Sequence, residues 1–341
     1  MYPETLKLKT PRLTMAYHHL GQEGKPKLLL IHGNCSSSLF YLPLMQRLAD
    51  KFEMAALDLR CFGETEAKPI DATRGLRDFS DDVDAFVSTF GWDRFSLAGW
   101  SMGGGVTMQY AIDHSEKLER MILIAPLSPY GFGGTYDEDG KQLEPLGLAS
   151  GAGTVNRQLI DALRDGDRTF AASTIDGLYV IQGFRIPEDR KELYIDAVLS
   201  THVGEGMYPG DKVLTETWPY VCPGTVGVNN TMAPNYCDLS GLVAISNKAP
   251  VLWIHGDSDL IVSDGSMCDV PYLGKLGVIP DYPGEEAFPP QPMLRQTRYV
   301  LERYQANGGS YREVVLHAGH GPFLDNEDGF VLALLDFFSE S

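Results

Sequence analysis

One stretch constrains this chain more than any other: Phe95-Ser96-Leu97-Ala98-Gly99-Trp100-Ser101-Met102-Gly103-Gly104-Gly105. An apolar run enters it. A serine then sits between glycines in the pattern Gly-x-Ser-x-Gly, and a helical pattern leaves through Val106, Met108, Tyr110 and Ile112. A serine hydroxyl is a weak nucleophile and must be held at an exposed point where a base can reach it. A sharp turn from strand to helix does this, at the cost of a strained backbone at the serine. Strand and helix then pass so close that a side chain at position 99 or 103 would collide, which Gly99 and Gly103 avoid. The same turn aims the Met102 amide, at a helix N-terminus, at the place where an oxyanion would form.

The chain on either side alternates short apolar runs with helical patterns. Strands are expected over 6–9, 13–17, 27–31, 53–57, 94–98, 121–125, 251–254 and 312–316, and helices over 39–48, 76–90, 103–114 and 329–338. The run at 27–31 is apolar almost throughout, as in a strand buried on both faces. Within 76–90, Phe79, Val83, Phe86, Val87 and Phe90 recur at helical spacing. Such alternation predicts an α/β fold, a mostly parallel central sheet covered by helices. Right-handed crossovers place the C-terminal strand ends on one edge, where ligands bind in open α/β sheets. His32, Ser101 and Asp259 each follow an expected strand, so the pattern alone brings them to that edge.

Alternation stops over 128–248. Helical patches at 155–163 and 191–199 stand among Gly-, Pro- and aromatic-rich segments, and an insertion of this size should carry its own structure. Its aromatics, among them Tyr130, Phe132, Phe170, Tyr179 and Trp218, are expected to be mostly its own core. The residues then divide into a core of 1–127 and 249–341 and an insertion of 128–248. A second irregular stretch, 264–291, holds five prolines and four glycines; it reads as a structureless loop that forms a second wall of the pocket.

Composition narrows the partners. Lys and Arg number 28 against 46 Asp and Glu, a net charge of −18 that repels phosphate backbones and anionic lipid, so neither nucleic acid nor a membrane surface is an expected partner. The N-terminus lacks the apolar core of a signal peptide, and no run approaches the roughly 20 apolar residues of a membrane span. The five cysteines are scattered without metal-ligand spacing and read as free thiols of a cytoplasmic protein, with a Cys222–Cys237 bridge as the less favoured alternative. His317-x-x-His320 lacks a third ligand, so no metal is expected.

The string Gly-Trp-Ser-Met-Gly-Gly-Gly resembles the nucleophile turn of the esterase and perhydrolase branches of the α/β-hydrolase superfamily. In that family a serine is followed along the chain by an acid and then a histidine. Ile254-His255-Gly256-Asp257-Ser258-Asp259-Leu260-Ile261-Val262 is similar to the acid loop, where the second Asp precedes an apolar segment; Asp259 is therefore preferred to Asp257. Leu316-His317-Ala318-Gly319-His320-Gly321 resembles the histidine loop, with His320 as base and His317 packing at the strand end. His32-Gly33-Asn34 resembles the loop that supplies a second oxyanion donor, so the expected oxyanion hole is Asn34 and Met102, with His32 structural. Ser36–Ser38 reads as a helix N-cap run. Asp58-Leu59-Arg60-Cys61-Phe62-Gly63 resembles the family's Asp-x-Arg-Gly-x-Gly turn, with Cys61 where a glycine is usual. Gly33, Trp100 and Val262, beside these loops, and Tyr130, at the start of the insertion, are the expected substrate contacts.

The resemblance implies an α/β-hydrolase fold with a largely helical cap inserted after the sixth strand. It also implies a Ser-His-Asp hydrolase of carboxylic esters or lactones of small to medium, largely apolar molecules, without a cofactor. The same triad would serve a carbon–carbon bond hydrolase, an acyltransferase or a perhydrolase, and the fold alone would serve a ligand receptor. The sequence leaves homo-oligomerisation open.

Overall fold

The computed structural model describes residues 2–143, 147–150 and 155–340. Eight strands form one sheet: β1 (Leu6–Lys9), β2 (Thr14–Gly21), β3 (Lys27–Ile31), β4 (Glu53–Leu57), β5 (Phe95–Trp100), β6 (Leu118–Ile124), β7 (Val251–Gly256) and β8 (Tyr311–Leu316). Their order is β1-β2-β4-β3-β5-β6-β7-β8. β1 and β2 run antiparallel to each other, β2 runs antiparallel to β4, and every other pairing is parallel. The expected strand at 13–17 extends to Gly21 because His18, His19 and Leu20 pair with Ala56, Ala55 and Met54 of β4. At the centre, all six residues of β5 are buried, and so are Leu28 to Ile31 of β3. Burying each Leu, Ile or Phe among them stabilises the fold by roughly 1.5–3 kcal/mol.

Helices α1 (Leu42–Leu48), α2 (Arg77–Phe90) and α3 (Met102–His114) cover this half of the sheet. Phe79, Val83, Phe86 and Val87 form the buried stripe of α2, and the rings of Phe86 and Phe90 meet Tyr17 of β2 edge-on at 5.1 and 5.4 Å. Gly91 ends α2 in the left-handed conformation, φ 86°.

The turn after β4 holds despite its cysteine. Cys61 takes φ 71°, its thiol donates to Lys68 O at 3.1 Å, and burial pushes that thiol up to about 12. Asp58 accepts from Ser38 N, Ser38 Oγ and Glu64 N, while Arg60 makes a two-pronged pair with Asp82 on α2 at 2.7 and 2.8 Å. Loop contacts therefore replace the glycine's freedom.

Between β6 and β7 the chain leaves the sheet. Helices α4 (Arg157–Asp165), α5 (Arg168–Thr174) and α6 (Glu188–Leu199) form its helical part. Beyond residue 200 it consists of short 3-10 turns, loops and the hairpin of Lys212–Leu214 with Val221–Pro223. Tyr194 and Ile195 of α6 join the main core, Tyr194 stacking on Phe40 at 4.7 Å, so this segment is bonded to the sheet domain by apolar contact. After β7 come α7 (Val270–Lys275) and α8 (Met293–Ala306); after β8 come the short α9 (Pro322–Asp325) and α10 (Glu327–Ser339). No helix among the described residues is long and apolar enough to cross a membrane, and all five cysteines are free thiols.

The stretch 264–291 is not structureless. It contains α7, and it builds a small second core in which Trp218 of the insertion packs on Phe288 at 5.0 Å and on Tyr282 at 5.4 Å. Trp218 Nε1 donates to Pro280 O at 3.0 Å. The partners lie more than 60 residues apart in sequence, so no local periodicity announces them. Asp269 caps α7, its Oδ2 accepting from Tyr272 N and Gln291 N, while its buried Oδ1 has no partner among the described residues.

Burial pushes the Asp269 carboxyl up to about 7 from an ordinary 3.8, against the pull of those two amides. The folded protein then keeps this proton to higher pH than the unfolded chain does. The sign follows: the stability from this group is fully present below about pH 4 and is lost as pH rises to about 7, by up to about 1.4 kcal/mol per pH unit. Urea titrations of the wild type and Asp269→Asn between pH 4 and 8 should show this decline only in the wild type. Parallel pH profiles would disprove it.

Candidate active site

Ser101 stands between β5 and α3 with φ 58° and ψ −121°, a region that a residue with a Cβ seldom occupies. Backbone bonds on both sides hold it there: Ser101 N donates to Ile124 O, and Ser101 O accepts from Gly104 N and Leu127 N at 2.9 Å. The glycines around it are close-approach positions. A Cβ on Gly99 would stand 2.0 Å from Gly103 O, one on Gly103 would stand 2.4 Å from Ile31 O and His32 O, and one on Gly33 would lie 2.8 Å from the Ser101 Cβ. The serine is thus wedged between the β3 loop and its own helix.

His320 follows β8. Its ring is buried, and its Nδ1 lies 2.8 Å from Asp259 Oδ2, with the carboxyl itself fully buried. Asp259 Oδ1 accepts from Ile261 N at 2.7 Å and Val262 N at 2.9 Å. Both carboxylate oxygens are acceptors, so Nδ1 is the donor; in the neutral ring Nε2 then carries the lone pair. Trp100, next to the serine, donates from Nε1 to His320 O at 2.8 Å, and the two rings lie 5.4 Å apart. That indole ties the His320 loop to the turn at Ser101. Among the described residues Ser101 and His320 are not hydrogen-bonded to each other; such contacts commonly tighten when substrate is bound.

The two acids after β7 separate cleanly. Asp257 pairs with the exposed His317 at 3.1 Å, and that contact holds its carboxyl below the usual range. His317 is thereby engaged with a surface acid and does not share a ligand set with His320.

The Asn34 and Met102 amides are the candidate oxyanion donors. Met102 is the first residue of α3, and neither amide donates to a protein acceptor among the described residues. His32 is buried beneath this loop: its Nδ1 bonds Gly33 O at 2.7 Å, its Nε2 accepts from Leu59 N at 3.0 Å, and burial lowers its pKa to about 4. It is a neutral strut. Ser37 caps the turn at Ser38–Tyr41, accepting from Leu39 N, and all three serines of 36–38 are buried.

Of the expected substrate contacts, Gly33 lies against the serine, whereas Trp100 and Val262 are 1% exposed and donate to His320 O and Asp259 Oδ1. Tyr130 lies elsewhere. It lines a separate cavity of about 340 Å³ with Asp238, Tyr299 and Arg303, which contains none of Ser101, Asp259 or His320. Sequence reasoning missed Asn229, and it treated Tyr179 only as core. Both reach the loop after β3: Asn34 Nδ2 donates to Asn229 Oδ1 at 2.9 Å, and the Tyr179 hydroxyl donates to Asn34 O at 3.2 Å.

A family model described as "alpha/beta hydrolase fold" matches residues 26–271, well over half of the chain. The chain belongs to the α/β-hydrolase fold family. Among relatives, the dihydrolipoyllysine-residue acetyltransferase component of the acetoin cleaving system of Cupriavidus necator is 30% identical over 152 residues, which is 41% of this chain and 39% of that protein. The chain spans about two-fifths or less of the length of the curated relatives it matches. Solved α/β-hydrolase structures align throughout. The enol-lactonase of Burkholderia xenovorans LB400 has a TM-score of 0.61 at 17% identity, covering 98% of this chain and 100% of its own. An esterase of Exiguobacterium antarcticum has a TM-score of 0.61 at 16% identity, covering 99% and 100%. At such identities the likeness is one of fold.

Proposed function

We propose that this α/β-hydrolase is a serine hydrolase that cleaves a carboxylic ester or lactone of a small to medium, largely apolar substrate. The observation that carries the reading is the buried 2.8 Å bond from His320 Nδ1 to Asp259 Oδ2 beside a serine held at positive φ. Ser101 Oγ attacks the carbonyl carbon while His320 Nε2 takes its proton. Asp259 stabilises the imidazolium through Nδ1–H. The Asn34 and Met102 amides receive the oxyanion. The tetrahedral intermediate collapses, the leaving alkoxide takes the proton from Nε2, and an acyl-Ser101 remains. Water, deprotonated by the same nitrogen, releases the acid and restores the serine.

A serine in the nucleophile position supports ester chemistry over dehalogenation or epoxide opening, which relatives of this fold carry out with a carboxylate there. In this reading residues 128–248 are the cap and 1–127 with 249–341 the catalytic core. A neutral imidazole base stops working once it takes up a proton, so hydrolysis falls on the acid side. Acid release followed by pH-stat across esters and lactones of increasing size tests the proposal, with Ser101→Ala as the blank. Serine-dependent release from at least one of them is the expected result. Release that persists in the blank, or none from any ester or lactone, would contradict it.

A further inference from the structure

The two residues after Gly33 are held by hydrogen bonds from two residues of the inserted segment. Asn34 Nδ2 donates to Asn229 Oδ1 at 2.9 Å. The Tyr179 hydroxyl shares its proton between Asn34 O at 3.2 Å and Cys35 O at 3.0 Å. The Cys35 thiol, pushed up to about 11 by burial, lies beside the side chains of Tyr208 and Thr201, which pull it the other way. Cys35 itself has φ 46°, a conformation that a residue with a Cβ keeps only when its surroundings fix it. Inside the loop, the Cys35 amide is held by Asn34 Oδ1 at 3.1 Å. The remaining hold on Asn34 and Cys35 comes largely from the insertion.

The same segment braces the histidine loop. Gly321 N donates to Tyr179 O at 2.7 Å, and the Asp325 Oδ2 accepts from both Ile181 N at 2.6 Å and Gly319 N at 2.7 Å. The Tyr179 ring lies edge-on to Trp100 at 5.4 Å and 6.2 Å from His320. A Cβ on Gly319 would stand 2.5 Å from the Val180 carbonyl carbon, so the two backbones are in direct contact. One short stretch, 179–181, therefore touches both loops that a hydrolytic site must keep in register.

We infer that Tyr179 and Asn229 are positioning residues that fix the Asn34 amide, so that the inserted segment completes the oxyanion hole. The inference rests on the hydrolase reading above. It means that the segment cannot swing away as a free lid while the hole stays intact, because lifting 179–181 removes the bonds that hold Asn34 and Cys35.

The test uses the full chain and a p-nitrophenyl ester, with kcat, KM and melting temperature measured together. Tyr179→Phe keeps the ring against Trp100 and removes only the hydroxyl; Asn229→Ala removes the acceptor. An oxyanion donor that drifts out of place loses stabilisation made only in the transition state, so each variant should lose about 10- to 100-fold in kcat with KM within about twofold. Tyr179→Phe should also melt close to the wild type. A folded Tyr179→Phe with unchanged kcat would overturn the inference while leaving the hydrolase reading intact. A raised KM at unchanged kcat would do the same, since it would make the hydroxyl a substrate contact. A wild type without Ser101-dependent turnover of this or any other ester or lactone would overturn both. Tyr179→Phe decides the matter if Asn229→Ala does not fold.

Discussion

Replacing Ser101 with alanine is expected to lower kcat by about 10⁴- to 10⁶-fold while leaving the fold intact. Alanine keeps the Cβ that already stands against Gly33, and it occupies the same strained φ of 58° under the same backbone bonds from Ile124, Gly104 and Leu127. Only the hydroxyl is lost. What remains is the pair of amides on Asn34 and Met102 and whatever binding the pocket provides, which still favours the transition state over water. pH-stat on the best ester measures the loss. A variant that kept more than about a hundredth of the wild-type rate would show that Ser101 is not the nucleophile.

Asp259→Asn has the second-largest expected effect, about 10⁴-fold in kcat. The reason lies in the two amides of Ile261 and Val262, which donate to Oδ1. In the asparagine they keep its carbonyl oxygen, so the amide nitrogen takes the place of Oδ2 and points at His320 Nδ1. That nitrogen is a donor. Nδ1 must then accept, its proton moves to Nε2, and the base faces the serine with the wrong tautomer. Asp257→Asn is the matched control. It removes a surface pair with His317 and should leave kcat within about twofold, since exposed pairs contribute little. Equal losses in the two variants, or a loss below about tenfold in Asp259→Asn, would remove Asp259 from the site.

Much of this was legible in the sequence because its causes are local. Continuous apolar runs such as 27–31 announce strands buried on both faces. The spacing of Phe79, Val83, Phe86 and Val87 announces a helix on a sheet. The glycines at 99 and 103 mark the points where backbones nearly touch, 2.0 and 2.4 Å from an added Cβ. Three polar residues at strand ends then fall on one edge by topology. Other features were hidden because their causes are tertiary. Asn229 and Asn34 are 195 positions apart and meet only when the insertion folds back on the sheet. The order within 264–291 comes from Trp218, supplied by a distant hairpin, and from an aspartate whose cap on α7 is invisible among so many prolines and glycines. Tyr130 drew attention by its place at the start of the insertion, and the chain turns it into a different cavity. Trp100 sits beside Ser101 in sequence, yet its side chain is buried in the core, where its indole donates to His320 O.

The central claim is that Ser101, activated by His320, is a nucleophile. Exposing the folded chain to a fluorophosphonate and locating the adduct by peptide mass spectrometry tests that most directly. The account predicts one phosphonyl group per chain, on Ser101, formed quickly in the wild type and slowed by orders of magnitude in His320→Ala. An adduct on any other residue, or an unmodified Ser101 in the wild type, would contradict it.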